Sequence, residues 1–268
     1  MQATYISSST NDSVKRWRKI LDSSRGARKV GASLAEGIHL AQVILASDIR
    51  VRSVIVREDG GGDEARALAA QLAQKSGVRV YVLSRSVYDS ISPVEHGVGL
   101  TVEFEIPTYE RPHAPLAKDA LYLDGVQDVG NMGTLIRTAV ASGVRCIAAS
   151  SGSAAFWSPK VLRAGMGAHF GAMLFENVSP EELPALFAGR RLAADARGGQ
   201  DLFRSRGWEC GTTVWMMGAE GPGLSEEALR VSDARYLIDI EHACESLNVG
   251  AAAAVCLFEQ RRRRLLGE

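Results

Sequence analysis

The sequence predicts a two-domain α/β protein: a small α/β/α domain over residues 1–106, a linker over 107–117, and a larger domain over 118–268 built as a doubly wound parallel sheet. Three observations predict it. Short apolar, β-branched runs alternate with segments of helical period along the whole chain, the pattern of strands joined by crossover helices. The stretch EIPTYERPHAPLAK, 105–118, holds three prolines in fourteen residues and follows neither period, as a linker does. And 268 residues that are 46% hydrophobic can fill more than one core.

Taken in order, the first domain opens with a basic helix at about 11–22, then SLAEGIHLAQVILAS, apolar at helical spacing. VRSVIV is a strand, DEARALAAQLAQKSG a helix and VRVYVL a strand; a helix-turn region near 85–95 leads to GVGLTVEFE. In the second domain ALYLDGV, VRCIAAS, RRLAADA, TVWMMG and ARYLIDI read as strands. NMGTLIRTAVASG, SPKVLRAGMG and SEEALRVS read as helices between them, and a last helix starts near Ser246.

No apolar run reaches the roughly 18 residues of a membrane span, and the N-terminus lacks the apolar centre of a secretory signal, so the chain is expected in the cytoplasm. Cys146, Cys210, Cys244 and Cys256 show no metal-ligand spacing and read as reduced, buried residues; no metal is expected. The net charge of zero argues against nucleic-acid binding by the chain as a whole, but the charge is unevenly placed. Lys15, Arg16, Arg18, Lys19, Arg25, Arg28 and Lys29 crowd the first thirty residues, and Arg261–Arg264 form a second knot. Such clusters suit phosphate neutralisation, although a solvated helical face explains either one alone.

Ligands of open α/β sheets bind beyond the carboxyl ends of the strands, so the segments that follow strands carry the functional signal. After ALYLDGV comes QDVGNMGTLIRTA, where Asn131 is either a helix cap or a site residue. Arg137, on an apolar helix, either pairs with Asp124 or Asp128 or grips a phosphate. After TVWMMG comes AEGPGLSEE, a bare-backbone loop around Glu220. After ARYLIDI comes EHACESLNVGAAAAVCLFEQ, with Ser246 as a natural cap and Ala251–Ala254 allowing close helix contact. There is no GxGxxG after a strand, no GxxxxGK[ST], no HExxH and no GxSxG; His39, His96, His113, His169 and His242 form no cluster.

In this order, NMGTLIRTA, GAEGPGLS and ESLNVGAAAAVCLFE resemble the three motifs of the SPOUT superfamily, in its SpoU (TrmH-like) branch of RNA 2′-O-ribose methyltransferases. SPKVLRAGMGAHF also looks like a segment of that family, and ARKVGASLAEGIHLAQVIL resembles the RNA substrate-binding domain often found ahead of it. The resemblance implies a deep trefoil knot at the C-terminus, a rare exception to unknotted connectivity. It also implies an S-adenosylmethionine (AdoMet) pocket within the knot and a homodimer paired through the C-terminal domain. On that pattern the backbone of Gly218, Ile238 and Leu247, with Ala219 and Ile240, holds the cofactor. Arg137, Asn131, Glu220, Ser246 and Asn248 form the catalytic set, and Arg16, Arg18, Lys19, Arg28, Lys29 and Arg163 contact RNA. The chain departs from the pattern at Asp239, His242, Gly250 and Gly165.

The implied reaction moves a methyl group from AdoMet to a ribose 2′-hydroxyl, a group only RNA carries. A guanidinium, with a pKa above roughly 12, does not release its proton readily, so Arg137 reads as a clamp on the adjacent phosphate and a stabiliser of developing negative charge. Ribosomal RNA is the expected substrate. The alternatives are a tRNA 2′-O-methyltransferase or a non-catalytic RNA-binding or ribosome-assembly factor of the same fold. A metabolic nucleotide-binding enzyme would need a phosphate loop that the chain lacks.

Overall fold

A computed structural model describes residues 3–92, 94, 97–241 and 243–267, apart from the side chains of Ser24 and Arg25. His96 and His242 lie outside the described residues, as does the side chain of Arg25. The chain divides into two compact units, Met1–Thr108 with Trp157–Phe170, and Tyr109–Phe156 with Gly171–Glu268.

The elements run β1 (Ala3–Ile6), α1 (Asp12–Asp22), α2 (Ser24–Val30), β2 (Ala32–Glu36), α3 (Ile38–Ala46) and β3 (Val51–Arg57). There follow α4 (Gly62–Ser76), β4 (Val80–Leu83), α5 (Arg85–Asp89), β5 (Leu100–Glu105), β6 (Ala120–Asp124) and α6 (Val129–Ser142). Then come β7 (Cys146–Ala149), α7 (Pro159–Ala164), β8 (Met173–Glu176), α8 (Leu183–Leu186), β9 (Arg190–Ala194) and β10 (Gln200–Asp201). The chain closes with β11 (Thr213–Gly218), α9 (Glu226–Val231), β12 (Ala234–Leu237) and α10 (Val249–Leu266).

In the first unit five strands pair in the order β1-β4-β3-β5-β2, with β5 antiparallel to both β2 and β3. The helical spacing of SLAEGIHLAQVILAS is only half realised. Gly37, at φ 108°, breaks the run, and the residues before it form the wholly buried strand β2. A short apolar stretch buried on both faces carries no periodicity that separates strand from helix. Trp157–Phe170 belongs to this unit although it falls in the middle of the second in sequence: Ser33 Oγ donates to the Trp157 carbonyl at 2.6 Å, and Phe104 meets Trp157 and Phe170 edge-on.

Helix α1 starts as expected, with Asn11 accepting the Ser13 amide, and buries Val14, Trp17 and Ile20. One of its arginines has an internal task. Glu103 in β5 is fully buried, and its oxygens accept two bonds from Arg16 at 2.9 Å, one from Trp17 Nε1 and one from Ser53 Oγ. Burial pushes this carboxyl's pKa up, but those bonds outweigh it and leave the group below the usual range. Arg16 thus neutralises a buried carboxylate. Arg16→Ala should cost about 3 kcal/mol in urea unfolding, because it strands that charge; a loss under about 1 kcal/mol would reduce the pair to an ordinary surface ion pair.

The second unit holds seven strands, all parallel, in the order β10-β12-β9-β11-β6-β7-β8. The chain moves from β6 to β7 and β8 on one side, then crosses to build the other side. β11 thereby lies directly against β6, and their carboxyl ends flank the point where the strand order reverses, the usual crevice of such sheets. The edge strands β8 and β10, absent from the sequence expectation, complete the sheet.

Helix α10 packs along α6 and the sheet. Its cap is Asn248, whose Oδ1 accepts the Gly250 and Ala251 amides; Ser246, the expected cap, stands two residues outside it. Part of its basic end is turned inward, while Arg261 and Arg262 are exposed. Arg263 is buried against Trp208 and the 202–205 carbonyls, and Arg264 pairs with Asp119. Neither is a phosphate-facing charge. Buried Gln260 bonds both Thr213 and Trp215 Nε1, bolting α10 to β11. Of the cysteines only Cys146 and Cys256 are buried; Cys210 and Cys244 are exposed thiols, because both lie in loops beyond the sheet. Among the described residues, no helix is long and apolar enough to cross a membrane, and no group of three metal-ligating side chains occurs.

Candidate active site

Gly218 pairs in register with Asp124, so whatever follows β6 and β11 emerges side by side. After β6, Asp128 caps α6 by accepting the Asn131 amide at 2.7 Å. The cap is therefore Asp128, and the side chain of Asn131, in the first turn, is released for another use. Asn131 Nδ2 donates to Glu220 Oε1 at 2.6 Å. Asn248 Nδ2 donates to the same oxygen at 2.8 Å and to Asn131 Oδ1 at 3.0 Å. Asn248 so fixes the start of α10 with its oxygen and the site with its nitrogen. Three segments, far apart in the chain, meet at one carboxylate.

The loop that carries Glu220 is tight. Ala219 and Gly223 exchange backbone hydrogen bonds of 3.1 and 2.9 Å, closing a turn with Glu220, Gly221 and Pro222 at its tip. A Cβ on Gly218 would stand 2.1 Å from the Gly223 carbonyl carbon and the Leu224 nitrogen, so only glycine lets the loop fold back there. Buried Asp124 holds the far end by accepting the Ser225 amide at 2.8 Å.

Beneath the tip lies a pocket of about 320 Å³, within the usual range for small-ligand sites. Gly218, Ala219, Ile238, Ile240 and Leu247, singled out from sequence, all line it, as do Glu220, Ser246 and Asn248. Asp239 is exposed and is not part of the lining, and Gly250 is buried where a Cβ would press on Thr134 at 3.0 Å. The lining also includes Asp195 and Arg197, which sequence reasoning missed. They follow β9, and the strand-end rule extended to that strand would have found them.

Arg137 takes neither structural partner open to it. Asp124 holds the Ser225 amide, Asp128 caps α6, and Arg137 stands exposed on α6, outside the pocket lining, with no partner among the described residues. Ser246 is also exposed, its carbonyl facing the Cys244 thiol at 3.1 Å. Of the basic residues in the first unit, Arg16 is committed to Glu103, and Arg18 bonds Ser90 Oγ and the Ser9 carbonyl. Lys19, Arg28, Lys29 and Arg163 are exposed.

A model of the SpoU rRNA methylase family matches residues 119–258, more than half of the chain and all of this site. The chain belongs to the SpoU rRNA methylase family. Residues 11–101 match an MRM3-like substrate-binding domain. Among SpoU relatives, the chain is 29% identical over 261 residues to the 23S rRNA (guanosine(2553)-2′-O)-methyltransferase RlmP of Bacillus subtilis, covering 96% of this chain and 98% of that one. It is 28% identical over 252 residues to the 23S rRNA (guanosine-2′-O-)-methyltransferase RlmB of Coxiella burnetii, covering 85% and 94%. The AdoMet-bound rRNA methyltransferase of Sinorhizobium meliloti superposes with a TM-score of 0.84 at 25% identity, covering 98% of this chain and 99% of that one. The segments GAEGPGLS and ESLNVGAAAAVCLFE contribute residues to the pocket lining, whereas NMGTLIRTA meets them through the Asn131 hydrogen bonds to Glu220 and Asn248.

Proposed function

We propose that this protein is an AdoMet-dependent RNA 2′-O-ribose methyltransferase acting on ribosomal RNA. The observation that carries the reading is the convergence of Asn131, Glu220 and Asn248 on the rim of the pocket. The relatives' names supply the substrate class.

The pocket fits AdoMet chemically. Ile238, Ile240, Leu247 and Ala252 offer apolar surface for a purine, the bare backbone of the 218–223 loop offers amides and carbonyls to its edge, and the Glu220 carboxylate suits a nearby cation. When bound, AdoMet supplies a methyl group on a positively charged sulfur, already an electrophile. The protein's task is alignment and control of the hydroxyl proton. Glu220 Oε1 takes both carboxamide bonds, while no hydrogen bond among the described residues engages Oε2. Oε2 would accept the ribose 2′-hydroxyl and take its proton as the O–C bond forms and the bond between the methyl carbon and the donor's sulfur breaks. Arg137 grips the neighbouring phosphate with its planar fork, and Ser246 orients the backbone beside it. Residues 1–106 hold the RNA through Arg18, Lys19, Arg28 and Lys29, together with Arg163 from the 157–170 segment that belongs to the same compact unit, and 118–268 form the catalytic domain.

The working form is a cytoplasmic homodimer whose last segment is threaded as a deep trefoil knot. Val129 at the start of α6 and Phe258 on α10 are exposed apolar surface that such pairing would cover. Calorimetry tests the cofactor assignment: the wild type should bind AdoMet, and Gly218→Ala should weaken binding by about tenfold or more, because the loop cannot close over a Cβ. A wild type that shows no heat of binding would contradict the function.

A further inference from the structure

The 219–223 loop is held from two sides, and only one of them belongs to the motif residues. On the other side stands Arg197, just beyond β9. Its Nε donates to Asp195 Oδ1 at 3.0 Å, Nη1 to the Pro222 carbonyl at 3.1 Å and Nη2 to the Leu224 carbonyl at 3.1 Å. These carbonyls flank Gly223, at φ 72°, where a Cβ would approach Arg197 Nη2 at 3.4 Å; glycine there leaves the guanidinium room to lie along the backbone. Asp195 is itself fixed. It is buried, its Oδ1 also accepts the Arg197 amide at 3.1 Å, and its Oδ2 takes Arg235 Nη2 at 2.5 Å from β12. The chain of contacts thus runs from the ends of two strands, through one planar fork, to the loop that presents Glu220.

We propose that Arg197 is the positioning residue of this site, setting where Glu220 stands by gripping the backbone on both sides of Gly223. The inference rests on the methyltransferase reading above. It adds that the loop's geometry is imposed from β9 and β12, outside the recognised motifs. Apart from the Ala219–Gly223 backbone pair that closes the turn and the Asp124 bond to the Ser225 amide beyond it, the loop among the described residues is otherwise tied through Glu220 to Asn131 and Asn248. A guanidinium spans three acceptors in one plane, which the single ammonium of a lysine does not.

Amide hydrogen exchange on the ligand-free full chain reads the loop directly. In Arg197→Ala, the amides of 219–221 and 223–225 should exchange at least about tenfold faster while those of α10 stay unchanged. Arg197→Lys should behave the same way with a near-normal melting temperature, so a poorly folding alanine variant does not remove the test. Acceleration that is equal in α10, or none at all, would overturn the proposal. In methyl transfer, Arg197→Ala should lower kcat about 10- to 100-fold. Combined with Glu220→Gln, it should add little to the loss that Glu220→Gln causes alone. Multiplicative losses would show that Arg197 does not act through Glu220. A fully active Glu220→Gln would instead refute the assigned role of Glu220, and this inference with it.

Discussion

Arg137→Ala should reduce methyl transfer at least about 100-fold while leaving AdoMet affinity within about twofold of the wild type. The split follows from where the side chain stands. It does not line the pocket, so cofactor binding does not depend on it. It is an exposed cation on an otherwise apolar helix, and neither Asp124 nor Asp128 neutralises it. A structural arginine on such a helix would be paired; this one is available to a polyanion. Its contribution is to fix the phosphate beside the reacting ribose and to stabilise negative charge growing on the 2′-oxygen, so its loss falls on kcat. Single-turnover transfer with tritiated AdoMet, alongside calorimetry, separates the two effects. Unchanged transfer would remove Arg137 from the mechanism, and lost AdoMet affinity would move it into the cofactor site.

The largest effect on stability should come from the other end of the catalytic domain. Arg263→Met is expected to cost about 3–5 kcal/mol in urea unfolding. Arg263 is 5% exposed and donates to Glu259 at 2.7 Å and to the carbonyls of Ser205, Leu202 and Phe203, with the Trp208 ring 4.8 Å away. Methionine fills the volume but strands those acceptors and buried Glu209. The pH dependence should change as well. Hydrogen bonds from Arg262 and then Arg263, against an opposing push from burial, hold the Glu259 carboxyl down to about 2. A carboxyl lowered on folding contributes stability that is complete above its unfolded value of about 4.3 and is lost as pH falls toward the folded value. The wild type should therefore lose stability between about pH 4.3 and 2, and Arg263→Met should lose less of it there. A destabilisation under about 1 kcal/mol at neutral pH would mean that Arg263 is the solvated charge its neighbours in sequence suggest.

That contrast shows what the sequence could and could not carry. The alternation of strands and helices, and polar residues at strand ends, pointed to Asn131, Glu220 and the segment around Asn248 one at a time, because each sits within a few residues of an element boundary. The resemblance to the SpoU motifs joined them into one expected set. Local competition was harder to read. Asp128 and Asn131 are equally good caps, as are Ser246 and Asn248, and only the three-dimensional demand for a donor near Glu220 decides which oxygen caps and which amide reaches inward. The fates of Arg16 and Arg263 were illegible for another reason. Their partners, Glu103, Glu209 and the 202–205 carbonyls, are distant in sequence, and a basic run looks the same whether its charges face phosphate or a buried carboxylate. Arg197 escaped notice because ARGG after a strand resembles an ordinary turn; its function appears only once the Pro222 and Leu224 carbonyls stand beside it.

The position of the transferred methyl group tests the central claim most directly. A 2′-O-methyl group removes the hydroxyl that attacks the adjacent phosphate in alkali, so a methylated ribose leaves an uncleaved dinucleotide. Ribosomal RNA from cells lacking this protein, incubated with the purified chain and tritiated AdoMet and then hydrolysed in alkali, should yield the label in such dinucleotides. Label recovered instead in mononucleotides carrying methylated bases, or no label at all, would contradict it.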